Sequence, residues 1–209
     1  MLIIFHYKSI YDFPHFADDT ASGLNDGIPR AEAKVWYDDM RTFGQAIYNA
    51  KRTHPNETLV TWKSDVSSDF LNLPAHPIYQ LRQVVNVEGT WCIIHQLVFG
   101  NRASPCCWCS VSGLMCWIGT KKFNIKDLHV FMDNFFSWVL ARDFVLYKGI
   151  SRPRPQTHLL IFWDEIRCPW IDKKQESGQE QKIIGFYVDI NHGSLTLTDD
   201  SVSDVLSTV

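Results

Sequence analysis

Two acidic residues stand where a chain of this kind could do chemistry. Asp65 ends the strand-like run TLVTWKSD (58–65), and Asp133 sits at the tip of HVFMDNFFSW (129–138), an otherwise apolar stretch that reads as a hairpin. If the two strands are neighbours in one antiparallel sheet, both carboxylates reach one edge. Converging carboxylates repel unless a divalent cation neutralises them, and Mg²⁺ takes a few carboxylates together with phosphate oxygens and water. A pair of such ions activates an attacking hydroxyl and stabilises a leaving oxygen. Taken alone, the Asp133-Asn134 step is also a plain turn, since Asp and Asn tolerate positive φ.

The elements that must position these residues follow from periodicity. Residues 31–52 place Val35, Met40, Phe43 and Ile47 on one helical face, with Gly44 inside. Residues 58–65 alternate like a strand, with Leu59, Thr61 and Lys63 on one face and Val60 and Trp62 on the other. Residues 81–87 and 90–98 form a hairpin. Ser104-Pro105 opens a helix running to about Lys122. A helix over 155–168 buries Leu159, Phe162, Trp163 and Ile166; the polar stretch 172–181 reads as a loop, and 182–190 with 194–198 as a last hairpin across NHG. Strands that pair as hairpins, separated by helices, predict an α+β fold with an antiparallel sheet backed by helices.

Composition sets the class. The chain has 209 residues, 45% hydrophobic and 21% charged, as in a soluble globular protein. No apolar run reaches the roughly 18–20 residues of a membrane span, and MLIIF lacks the flanks of a signal peptide. Four of the six cysteines crowd between 106 and 116, a spacing that suits buried thiols in a reducing compartment, so an intracellular, non-secreted protein is expected. Cys106 and Cys109 make one C-x-x-C with no second pair at zinc spacing. The net charge of −3 argues mildly against a dedicated nucleic-acid-binding module.

Several blocks, in order, resemble the fingers and palm of reverse transcriptases, more narrowly those of fungal retroelements. SDVSSDFLNLPAHP is similar to the first palm motif, with a metal-binding Asp65 and an aromatic, Phe70, that the resemblance makes a steric gate against a 2′-hydroxyl. LVFGNRASP (97–105) resembles the motif that seats nucleotide and template, which implies substrate roles for Gly100, Arg102 and Ser104. FMDNFF (131–136) resembles the aromatic-x-Asp-Asp turn, with Asp133 as second metal ligand. Lys174 or Lys173 resembles the fourth motif's lysine, a general acid for pyrophosphate; IIGFYVDI (183–190) resembles the hairpin that grips the primer, and DDTASGLNDGIPR (18–30) the fingers segment ending in Asn.

The resemblance implies fingers over 1–57, a palm over 58–200, and at 201–209 the start of a truncated segment, with thumb and other polyprotein domains beyond. It also implies Mg²⁺ or Mn²⁺, a template-primer of RNA or DNA, dNTP, and no membrane. The departures point to a degenerate copy. Asn134 replaces the second aspartate, Asp69 stands where a small residue precedes the gate, and Pro14 and His15 occupy the place of a basic residue. Loss of that basic contact removes a charge-assisted bond to phosphate. Weak or lost polymerase activity is the expectation, and the alternative is a non-catalytic relic or interaction domain that keeps the palm fold.

Overall fold

The computed structural model describes residues 23–87, 89–198 and 202–203. In chain order the elements are α1 (Met40–Thr53), β1 (Leu59–Val66), α2 (Pro77–Gln80), β2 (Val84–Val87), β3 (Thr90–Ile93), α3 (Ser104–Lys122), β4 (His129–Phe131), β5 (Asn134–Leu140), β6 (Phe144–Tyr147), β7 (Ile150–Pro153), α4 (Arg154–Ile166), β8 (Trp170–Gly178), β9 (Glu180–Ile183), β10 (Phe186–Asp189) and β11 (Ser194–Leu197). The fold is α+β, and its strand pairs are antiparallel. No helix among the described residues is long and apolar enough to cross a membrane. The expectations for Asp18, Pro14, His15 and most of 201–209 lie outside the described residues.

The chain divides into two compact units. The larger combines Val35–Asp69 with the described residues from Cys107 on. Its main sheet has the order β4-β5-β1-β8. As a central strand, β1 buries Leu59, Val60, Thr61 and Trp62 alike, so both of its faces are covered rather than one. On one face Phe136 meets Phe43 of α1 edge-on, ring centroids 5.0 Å apart, within a cluster that includes Ile47, Leu59, Ile183, Val188 and Ile190. On the other, Phe135 meets Trp163 of α4 at 5.2 Å. Each such fully buried large side chain contributes roughly 1.5–3 kcal/mol. A Cβ on Gly119 of α3 would come within 2.7 Å of a Leu128 side-chain carbon, so the absence of a side chain there allows close approach.

Several sequence expectations need correction here. The helix expected from 31 starts only at Met40, because Asp39 is extended and caps it, accepting from the Thr42 amide at 2.7 Å. Val35 therefore lies outside the helix. The polar stretch 172–181 is not a loop. It forms most of β8 and the start of β9, and its charges are tolerated because β8 is an edge strand with outward-facing side chains. The single strand expected over 182–190 breaks at Ile184-Gly185, both at positive φ (48° and 78°), into the β9–β10 hairpin. A similar turn at Lys148-Gly149 makes the β6–β7 hairpin, which periodicity did not reveal. Ile166 is exposed at 48%, since α4 ends there and Arg167 takes a left-handed cap. Cys107 is exposed, and Cys106 and Cys109 are half-buried rather than buried.

The smaller unit combines the described residues up to Lys34 with Phe70–Cys106. It holds α2 and the β2–β3 hairpin, whose strands are shorter than expected. The α3 helix has the expected bounds, Ser104–Lys122.

Candidate active site

The register of β1 against β5 decides where the two aspartates go. Asp65 pairs with Asn134 across the strands, and Phe131 pairs with Asn134 from the other side. The turn between β4 and β5 is therefore Met132-Asp133, one residue earlier than an Asp-Asn turn, and Asn134 belongs to the sheet. Met132 carries the positive φ of 56°, a conformation a bulky side chain rarely adopts. This reversal sets Asp133 against the end of β1, where its carbonyl accepts from the Val66 amide at 3.2 Å. The two acidic residues thus lie at one end of the sheet, the arrangement the sequence allows when their strands are neighbours.

Their electrostatics differ. Burial pushes the Asp133 carboxyl up to about 6, reinforced by the negative charges of Asp65 and Asp69 and only partly offset by Lys174. Asp65 is instead met by donors. The Lys174 ammonium donates to Oδ1 at 2.5 Å, and the Asn134 amide to Oδ2 at 3.4 Å. The two lysines separate by strand alternation: Lys174 reaches Asp65, and Lys173 is exposed to solvent.

Supporting residues hold this end of the sheet. Ser64 pairs with Gln175, but Val66 pairs with Trp170, so β8 takes more residues than β1 to cover the same step. Buried Gln175 fills that bulge, its amide donating to the carbonyls of Asp65 and Ile171, both at 3.1 Å. Gln156, in the first turn of α4, donates to the Lys63 carbonyl at 2.9 Å and to Ser64 Oγ at 3.2 Å. Asp38 holds β4, accepting from the Val130 amide at 2.8 Å. None of the three was visible in the sequence. Asp38 was read as helix interior and Gln175 as loop, and a polar residue such as Gln156 carries no periodic signal when it is buried.

The other expected site residues belong to the smaller unit. Phe70 opens a single 3₁₀ turn and is buried against Phe99, ring centroids 4.8 Å apart. Asn25 organises the loop at 100–102: its side chain donates to the Gly100 carbonyl at 2.9 Å and accepts from the Arg102 amide at 2.8 Å. The Arg102 guanidinium donates to the carbonyls of Asn25 and Ile28, both at 2.7 Å. Gly100 has φ 91°, which favours glycine. Ser104 Oγ donates to the Val98 carbonyl at 2.8 Å.

Among the described residues, no three His, Cys, Asp or Glu side chains are grouped as a metal cage. What the larger unit offers is a coupled pair of carboxylates, one neutralised by an ammonium and one held close to protonation.

No protein-family model matches the chain, and no curated protein matches it significantly. Solved structures of a foamy viral protease-reverse transcriptase are similar in backbone. One, in complex with an RNA/DNA hybrid, is 16% identical over 72% of this chain and 19% of that chain, TM-score 0.47. A second, with double-stranded DNA, is 18% identical over 73% and 24%, TM-score 0.49. A third, also with double-stranded DNA, is 19% identical over 72% and 28%, TM-score 0.43. This chain spans between 19% and 28% of those three chains.

Proposed function

We propose that this chain is the palm and part of the fingers of a retroelement reverse transcriptase. Its chemistry is template-directed nucleotidyl transfer, RNA-directed DNA synthesis, with catalysis weakened or lost. The observation that carries the reading is the Asp65–Asn134 register, which brings Asp133 beside Asp65 at one sheet end. The order of the blocks SDVSSDF, FGNRASP, FMDNFF and IIGF supports it, and the last of these lies on the β9–β10 hairpin.

The donor set fits Mg²⁺ or Mn²⁺. Two carboxylates, with no cage of three His, Cys, Asp or Glu among the described residues, suit an ion that completes its shell with phosphate oxygens and water. The like-charge tension on Asp133 is the kind a divalent cation relieves. Asp65 and Asp133 would hold the ion, which would supply activation of the primer 3′-hydroxyl and stabilisation of the departing pyrophosphate oxygen. Lys174 Nζ, the nearer of the two lysines to Asp65, holds a proton that pyrophosphate can accept as it leaves. Phe70 excludes a 2′-hydroxyl, and Gly100, Arg102 and Ser104 seat dNTP and template-primer. Asn134 supplies an amide where a charge would strengthen cation binding, and this substitution weakens catalysis.

A second reading, a non-catalytic relic that keeps the fold, is favoured by the Arg102 guanidinium. Its NH1 donates to two main-chain carbonyls. Mn²⁺ titration of the wild type, D65N and D133N separates the two. The palm reading expects binding that each substitution weakens at least tenfold, with dNTP incorporation on a primed RNA template near background. Binding indifferent to both substitutions favours the relic, and strong incorporation abolished by Asp65→Ala overturns the claim of weakened catalysis.

A further inference from the structure

We infer that Lys174 is the resident counter-ion of Asp65, and that a divalent cation enters the site only by expelling its ammonium, so that ion loading and the release of Lys174 are one event. The inference rests on the metal reading of the Asp65–Asp133 pair.

Both carboxylate oxygens of Asp65 face donors of the chain itself. Oδ1 accepts from Lys174 at 2.5 Å and Oδ2 from Asn134 at 3.4 Å. The contact with Lys174 is the closer, and it carries a full positive charge. A Mg²⁺ ion needs ligand oxygens at about 2.0–2.1 Å in near-octahedral array. An ammonium and a dication on one carboxylate oxygen at such distances repel each other strongly in a half-buried setting, and that repulsion drives the ammonium out.

The fold fixes Lys174 in this place and leaves it a way out. The β8 bulge and the Gln175 amide, bonded to the Asp65 carbonyl at 3.1 Å, set the main chain of β8 beside Asp65. The lysine side chain is nonetheless 39% exposed, so its flexible stem can swing into solvent without moving the strand. Other lysines nearby do not compete for the role. Lys63 pairs with Glu176 at 3.3 Å and donates to the Lys182 carbonyl at 3.1 Å, and Lys173 is exposed to solvent. Without an ion, Lys174 makes a charged sheet end tolerable; with one, it becomes a free ammonium next to the site.

The test uses the full chain and two readouts that need no catalysis. Free Mn²⁺ is followed by electron paramagnetic resonance in the wild type, K174M and K174R. Removing a charge-assisted contact that the ion must break should tighten binding in K174M by roughly 5- to 10-fold, and K174R, which keeps the charge, should bind no tighter than the wild type. Separately, acetylation of wild-type lysines by an N-hydroxysuccinimide ester is read by mass spectrometry. Saturating Mg²⁺ should speed modification of Lys174 several-fold and leave Lys173 and Lys182 unchanged. Carboxylate-dependent binding that is equal in the wild type and K174M, or a Lys174 acetylation rate indifferent to Mg²⁺, overturns this inference and leaves the metal reading standing. Absence of binding in both proteins overturns the two together. If K174M fails to fold, the acetylation arm on the wild type decides alone.

Discussion

The two ends of β1 solve the same problem in opposite ways. At the Leu59 end, the Asn191 side chain acts as a piece of neighbouring strand, accepting from the Leu59 amide at 3.0 Å and donating to its carbonyl at 2.9 Å. Leu59 is fully buried there among Phe43, Ile47 and Ile190. The main-chain groups are satisfied by one neutral amide, whose oxygen also accepts from Lys51 Nζ at 3.5 Å, and no carboxylate takes part. At the Asp65 end, six residues along the strand, the sheet closes on two carboxylates, an ammonium and a turn residue at strained φ. That end tolerates like charge in a partly buried place, an arrangement that costs stability and makes sense where charge is to be used. One end of the strand holds the fold, and the other holds potential chemistry.

The first way to break that contrast is to remove Asn191. Asn191→Ala leaves a buried main-chain N–H and C=O without partners, a loss of about 2–4 kcal/mol, and urea unfolding should show the midpoint fall with little change in slope. A loss under about 0.5 kcal/mol, within the range of ordinary surface substitutions, would mean that Asn191 does not close the sheet. A smaller effect belongs to the other end. Gln175→Ala removes the amide that serves both the Asp65 and Ile171 carbonyls in the β8 bulge. The expected loss is about 1–2 kcal/mol. Hydrogen exchange of β8 amides should accelerate while α1 and β10 keep their protection. Uniform acceleration across the unit would show that Gln175 supports the core and not the site alone.

How far these features were legible depends on the interaction that sets them. Strand β1, helices α3 and α4, and the tip position of Asp133 were readable because periodicity and Ser-Pro signals are local. The meeting of Asp65 with Asp133 followed in the sequence only if their strands were neighbours, and the cross-strand register makes them neighbours. The identity of the turn was not legible: Met132 takes positive φ because β4 and β5 bracket it, and nothing in the residue's own preference predicts that. Strand β8 read as a loop because its outward charges mimic one, and only pairing with β1 makes it a strand. Gln156, Gln175 and Asp38 escaped for a related reason, since each satisfies main-chain groups remote in sequence. Lys174 and Lys173 could not be told apart until the strand's alternation was known.

The finest probe of the contrast is Asp133 itself, where stabilisation rather than loss is expected. Its carboxyl sits near 6 in the folded chain against an ordinary 3.8, so between about pH 4 and 6 the folded state holds more protons than the unfolded one. Stability must then fall as pH rises through that window, the reverse of a salt-bridged aspartate. Discounted for its partial exposure to solvent, ionised Asp133 costs about 1 kcal/mol at neutral pH. Asp133→Asn keeps the size, drops the charge and should raise the unfolding free energy by that amount at pH 7, with the gain shrinking to nothing near pH 4. Only the difference between the two proteins isolates this group, because every other carboxylate titrates in both. If D133N is the less stable protein at pH 7, the carboxylate is held by favourable contacts instead of tension, and the Asp65 end of β1 is then as well satisfied as the Leu59 end.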